Sequence, residues 1–269
     1  MSELVLLKLG GSVITLKDKP LRANMRAIER LSTEISKSGV KKLVIVHGGG
    51  SYGHPLAKKY SLVEGFRNAG QLRGLCETHL AMLTLNRLIV EALLERGVAA
   101  APVSPLSCAV TRRGRLVRLE LSPVKRLLEL GVVPVLFGDV VMDEELGFTI
   151  LSGDQLIAAL SMELNADRIV LGLDVDGLCD KDPKQHPDAE LIEEISPEEL
   201  ERLLPGLGGS GGIDVTGGMR GKMAEMLAPA KRGIPVFLVN AAKPGLVLKA
   251  LRGESTPGTL IACEGRRSR

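Results

Sequence analysis

The strongest constraint on this chain is a rhythm. Short apolar, β-branched runs alternate with longer stretches whose apolar residues recur at helical spacing, and some of the short runs end directly in glycine. Residues 4–9 and 42–46 read as strands with a helix over about 24–38 between them, which makes a βαβ unit. A long helix is expected over 72–96, then a strand near 99–103 and two short runs flanking 112–115 as a hairpin. Helix 123–130 and strand 132–137 follow, then a second hairpin from 140–142 and 148–151, helix 154–164 and strand 168–173. Ser196, Pro197 and Glu199 spell a capping box with proline at the first helical position, so a helix starts there and runs to about Leu204. Helix 219–232, strand 236–239, helix 246–251 and strand 259–262 complete the series. Near-continuous apolar strands alternating with helices predict an α/β chain, a mostly parallel sheet covered on both faces. The expectation is one domain over residues 1–269 with two lobes and no linker, its glycine-rich stretch at 205–218 lying just ahead of a helix.

Composition narrows the functional classes. A net charge of +3 is too small for a nucleic-acid footprint, and four Phe, two Tyr and no Trp cannot build a stacking platform for single strands. No window approaches the ~20 apolar residues of a membrane span, and the segment after Met1 lacks the basic and apolar regions of a signal peptide. Cys76, Cys108, Cys179 and Cys263 show no paired spacing, which suits reduced packing residues in a cytoplasm.

The 31 glycines are concentrated where chemistry is expected. In open α/β sheets ligands collect at the carboxyl ends of strands. Gly10, Gly11 and Ser12 follow the first strand, and His47-Gly-Gly-Gly-Ser-Tyr-Gly-His54 leaves the second. Gly217-Gly-Met-Arg-Gly-Lys222 opens a helix. Glycine lets amides approach an anion, and a helix start adds partial positive charge, so each loop is either a tight turn or a phosphate cradle. Lys8, Lys17 and Lys222 lie nearby. A Walker A loop fails, because Thr216 replaces its first glycine and Met223 its Ser/Thr. Gly48, Gly50 and Gly53 satisfy GxGxxG, but the acidic residue expected about twenty positions on is missing, which weakens a dinucleotide-binding oxidoreductase. Asp154 reads as a helix N-cap or a charged site residue, and His54 as a helix-capping residue or an anion ligand. His47, His79 and His186 lack such a context. Leu75, Cys76, His79, Met82 and Leu83 form a stripe that reads as core before it reads as a pocket for an apolar ligand. Asp174, Asp176, Asp180 and Asp182 lack the EF-hand glycine and terminal glutamate, so calcium is not expected, and no residue is assigned as a metal ligand.

Lys8-Leu-Gly-Gly-Ser12, His47 to His54, Asp174-Val-Asp-Gly-Leu178 with Asp182-Pro183, and Gly217 to Lys222 resemble, in this order, the motifs of the amino acid kinase superfamily. The glycine triplet ending in His54 is similar to that of its isopentenyl phosphate kinase subfamily, and the likeness spans residues 4 to about 262. It implies a three-layer αβα sandwich, an acceptor-binding lobe over about 1–165, an ATP-binding lobe over about 166–262, a tail at 263–269, and a homodimer. The implied reaction is ATP plus isopentenyl phosphate giving ADP plus isopentenyl diphosphate, in the alternative mevalonate route. Another small phosphate or phosphonate acceptor, or a nucleotide sensor without turnover, are the alternatives. By the same resemblance Lys8 and Lys222 hold the β- and γ-phosphates, Gly10 and Gly11 line the transfer site, and both glycines together with Ser12 and Gly49 bind ATP. Lys17 stabilises the transition state, Mg²⁺ bridges the nucleotide phosphates, and Asp154 orients the lysines. Gly48, Gly49, His54 and Gly138 hold the acceptor phosphate, with Asp139 a weaker candidate, while Asp174 and Gly218 contact the nucleotide. Cys179 departs from the pattern, standing where relatives often carry an aromatic residue.

Overall fold

The computed structural model describes residues 2–181, 186, 188–207 and 218–263. Asp182, Pro183, Gly208, Gly211, Gly217 and the tail beyond Cys263 lie outside the described residues. Strand β1 (Leu4–Leu9) is buried along its whole length because its side chains alternate between two helical layers. Leu4 and Leu6 join one core cluster, and Val5, Leu7 and Leu9 the other. A one-turn helix α1 (Gly11–Ile14) follows, then α2 (Met25–Ser38), β2 (Lys42–His47), α3 (Gly50–Lys59) and α4 (Gly70–Leu94). Helix α2 starts where the Asn24 side chain accepts from Ala27 N–H and stops at Gly39, whose φ of +72° a glycine adopts without strain.

Next come β3 (Ala100–Pro102), α5 (Pro105–Cys108), β4 (Ala109–Arg112), β5 (Arg115–Leu119), α6 (Ser122–Glu129) and β6 (Val133–Phe137). Strands β7 (Asp139–Asp143) and β8 (Gly147–Leu151) precede α7 (Gly153–Glu163), β9 (Arg168–Leu173), β10 (Glu194–Ile195) and α8 (Pro197–Leu203). The described chain closes with α9 (Gly218–Lys231), β11 (Val236–Asn240), α10 (Leu246–Arg252) and β12 (Thr259–Ile261). The capping box at Ser196 and Glu199 forms as its spelling predicts.

Among the described residues the main sheet has eight strands in the order β10-β12-β11-β9-β1-β2-β6-β3, and only β11–β12 is antiparallel. Helices α2, α4 and α10 cover one face, and α7, α8 and α9 the other. The fold is the three-layer αβα sandwich with a mostly parallel sheet. The two expected hairpins form, but they merge into one four-stranded sheet, β5-β4-β7-β8, through parallel pairing of β4 with β7. Long-range pairing of that kind has no local sequence signature. The stripe on α4 splits: Met82 is core, whereas Cys76 is exposed and is not a packing residue.

Candidate active site

Strand β1 has β2 on one side and β9 on the other, so the strand order reverses there. A topological switch point of this kind opens a crevice at the carboxyl end of the strand. The loops after β1, β2 and β9 all leave at that end.

Alternation along β1 places Lys8 on the same side as Leu4 and Leu6, toward α7 and α9. Its side chain is 6% exposed, and Lys8 Nζ pairs with Asp154 Oδ1. Lys222 on α9 reaches the same carboxylate, with Nζ 3.2 Å from Oδ2 and 3.3 Å from Oδ1. One anion therefore serves two cations. Asp154 does not cap α7; that role falls to Ser152, whose hydroxyl accepts from Gln155 N–H at 3.0 Å. Burial lowers Lys8 to a pKa of about 8, with Asp154 opposing the shift and Lys222 adding to it. Burial alone would raise Asp154, but the two ammonium charges overcome it and hold the carboxyl at about 2. Within the trio two ammonium groups meet one carboxylate beside the switch point, a cationic balance suited to an anionic phosphate.

The glycine loops meet backbone to backbone. A Cβ on Gly11 would lie 2.7 Å from Gly50 Cα, and one on Gly48 would lie 2.8 Å from Gly11 N. Gly50 has φ +47°, and a Cβ there would stand 2.5 Å from the Gly11 carbonyl oxygen. Thr15 stitches the two loops together, donating its hydroxyl to Gly11 O at 2.7 Å and accepting from Ser51 N–H at 3.0 Å. Three amides here are spent within the sheet: Gly10 N–H donates to Gly172 O, Gly48 N–H to Leu9 O, and Gly138 N–H to His47 O. At Gly10, Gly48 and Gly138 the missing side chain lets neighbouring backbone close in: a Cβ would stand 2.8 Å from Gly172 O, 2.8 Å from Gly11 N and 2.9 Å from Gly153 N respectively. Amide donors come instead from the start of α3, where Gly49 is the first residue whose N–H lacks an intrahelical acceptor.

Around this centre, Lys17 Nζ lies 2.7 Å from Asp174 Oδ2, in a pair more open to solvent than the trio. Ser12 is the half-buried second residue of α1, Gly218 begins α9, and His54 sits half-buried at the second turn of α3. Asp139, next to Gly138, turns its buried carboxylate to His79, with Oδ2 2.7 Å from Nδ1. Burial raises Asp139 and the hydrogen bond raises His79. A carboxylate committed to His79 leaves Gly138 as the acceptor-side candidate of the two.

Residue reading passed over Thr15 and Gly153, the latter's absent side chain leaving room for the Lys8 stem. It also passed over His47, which is fully buried at the carboxyl end of β2. The available signal was its place as the last strand residue before the glycine run. Taken together, buried lysines sharing a carboxylate, glycine loops and helix starts around one switch point define a phosphate-handling α/β site.

The comparisons agree with that class. The amino acid kinase family pattern matches residues 3–240, and the chain belongs to the amino acid kinase family. Within it, the chain groups with the isopentenyl phosphate kinases. The isopentenyl phosphate kinase of Methanothermobacter thermautotrophicus is 41% identical over 266 residues, covering 96% of this chain and 98% of that one. A solved isopentenyl phosphate kinase structure superposes with a TM-score of 0.84 at 38% identity, covering 96% of this chain and all of the other. The Thermoplasma acidophilum isopentenyl phosphate kinase product complex gives 0.75 at 30% identity, covering 96% and 99%.

Proposed function

We propose that this protein transfers the γ-phosphoryl group of ATP to isopentenyl phosphate, giving ADP and isopentenyl diphosphate. An oxygen of the acceptor phosphate forms the new bond to the γ-phosphorus while the bond from that phosphorus to the β,γ-bridging oxygen breaks, leaving ADP. A phosphate monoester is mostly dianionic at pH 7, its second pKa being about 6, so no base is needed to expose its nucleophile. The chain's task is to align two anions and neutralise their charge.

The observation that carries this reading is the Lys8–Asp154–Lys222 trio beside the junction of the two glycine loops. Its two ammonium groups suit the β- and γ-phosphates, and the glycines at 10, 11 and 48 let the backbone segments beside them pack closely. Lys17, whose Nζ lies 2.7 Å from Asp174 Oδ2, would stabilise the transition state by turning to the phosphate in transit. Gly49 and His54 at the start of α3, with Gly138, would hold the acceptor phosphate. Asp174 and Gly218 would hold the nucleotide. The acceptor lobe then comprises about residues 1–165 and the ATP lobe about 166–262.

Mg²⁺ would accompany the triphosphate, since it keeps much of its water and binds through substrate phosphates more readily than in an all-protein cage. It would supply positive charge to offset that of the phosphates, beside Lys8 and Lys222. No described helix is long and apolar enough to cross a membrane. A cytoplasmic homodimer acting in the alternative mevalonate route completes the proposal.

Purified protein with Mg-ATP and isopentenyl phosphate, followed by phosphorus NMR, tests it. Isopentenyl diphosphate should accumulate with ADP, and no turnover above background would sink the reading. A panel of other phosphate and phosphonate acceptors separates the acceptor from the chemistry. His54→Ala should lower turnover on phosphate acceptors at nearly unchanged ATP affinity, whereas Lys222→Ala should weaken ATP binding.

A further inference from the structure

One buried group adjoining the site has no part in the reaction as described. His47 ends β2 on the side facing α4, sharing that face with Leu43 and Ile45, and it is fully buried. Its ring stacks on Phe137 at 5.4 Å between centroids. Nδ1 lies 3.1 Å from Gly48 O, and Nε2 lies 3.1 Å from Asn86 Nδ2 on α4. Asn86 Nδ2 is also 3.2 Å from Val135 O.

Donor chemistry settles the roles. Gly48 O can only accept, so Nδ1 must carry the proton. Asn86 Nδ2 can only donate, so Nε2 must be bare; its two hydrogens go to Nε2 and Val135 O. Burial lowers His47 to about 4, so the ring is neutral at pH 7, as this pattern requires.

The consequence runs through peptide planarity. In a trans peptide the carbonyl oxygen of Gly48 and the N–H of Gly49 point to opposite sides of one plane. Gly48 and Gly49 have no side chains to hold that plane, and a histidine bond on one side aims the amide on the other.

We propose that His47 is a positioning residue for the acceptor: as the Nδ1–H tautomer anchored by Asn86, it locks the Gly48–Gly49 peptide so that Gly49 N–H faces the transfer point. The role rests on the kinase reading above. It links the long helix α4 to the glycine loop by a neutral relay of hydrogen bonds, with no contact between His47 and substrate.

Two measurements on the full chain test it. In long-range proton–nitrogen spectra of histidine-labelled protein, the His47 ring, identified by its loss in His47→Asn, should show a protonated Nδ1 and a bare Nε2 from about pH 6 to 8. A proton on Nε2, or tautomer exchange over that range, overturns the proposal. In kinetics, His47→Leu and Asn86→Leu should raise the acceptor KM about fivefold to tenfold, the loss of about one net hydrogen bond, at unchanged ATP KM. His47→Asn returns an N–H near the Nδ1 position and should stay within about threefold of the parent. If the Leu variant at 47 does not fold, Asn86→Leu and His47→Asn carry the comparison. Equal effects of Asn and Leu at position 47, or parallel rises in both KM values, refute the positioning role. A parent protein that phosphorylates no acceptor refutes the kinase reading instead, and with it any role for His47 in transfer; the tautomer result stands apart from activity.

Discussion

The two faces of the sheet hold the site in different ways. On the face toward α7 and α9, Lys8, Asp154 and Lys222 are held by charge; on the face toward α4, His47, Asn86 and the glycine loop are neutral and held by hydrogen bonds and close contact. The charged side sets two ammonium groups against one carboxylate, a balance that suits a phosphate anion. Such a cluster survives burial only while every partner is present. The neutral side contributes shape, and what it tolerates least is added volume.

The sharpest way to break this contrast is Asp154→Asn. Two ammonium groups then lose their shared carboxylate, and removal of one member of a buried ionic group costs about 3–5 kcal/mol. Melting and nucleotide titration should show both lower stability and loss of ATP binding, and a variant of parental stability would mean the trio is not held as described. On the neutral side, Gly11→Ala forces a Cβ to within 2.7 Å of Gly50 Cα, where neither backbone can retreat. Strain of that kind costs about 1–3 kcal/mol, and acceptor turnover should fall with it. Gly39→Ala is the control, with φ +72° but nothing within 4 Å: it should cost about 1 kcal/mol and leave turnover intact. Equal activity losses in the two glycine variants would remove the loop junction from the mechanism.

The smallest effect is the most diagnostic, because it separates stability from activity. Lys8 titrates at about 8 in the folded chain against 10.5 in an unfolded one. Between these values the unfolded state binds the extra proton, so the Lys8 contribution to stability rises with pH. The charge that attracts phosphate disappears over the same interval, so kcat/KM for ATP should fall about tenfold per pH unit above about pH 8. A profile flat to about pH 9.5 would contradict the buried position of Lys8. The His47 side should show no matching transition near neutrality.

Much of this was legible in the residues. Alternating strands and helices, the Ser196 capping box and glycine after β1 and β2 depend on neighbours a few positions apart, and they appear where the spacing puts them. Lys8 stood out as a cation within an apolar strand. Asp154 was visible, but its partners were not: its spacing fits a helix cap equally well, and only the packing of α7 against β1 and α9 brings Lys8 and Lys222 to it. His47 was passed over for the same reason. A histidine beside glycines carries no sign of burial until Asn86, 39 residues away, closes over it.

The sequence by itself therefore determined the αβα class, the strand ends that carry glycine, and the cations available to meet phosphate, since each follows from local propensity and periodicity. Tertiary structure decided which cations share a carboxylate, which glycine amides remain free of the sheet, how the two hairpins merge, and which histidine is neutral. Those outcomes depend on contacts between distant segments and on the loss of water around them, and neither is written in the spacing of residues along the chain.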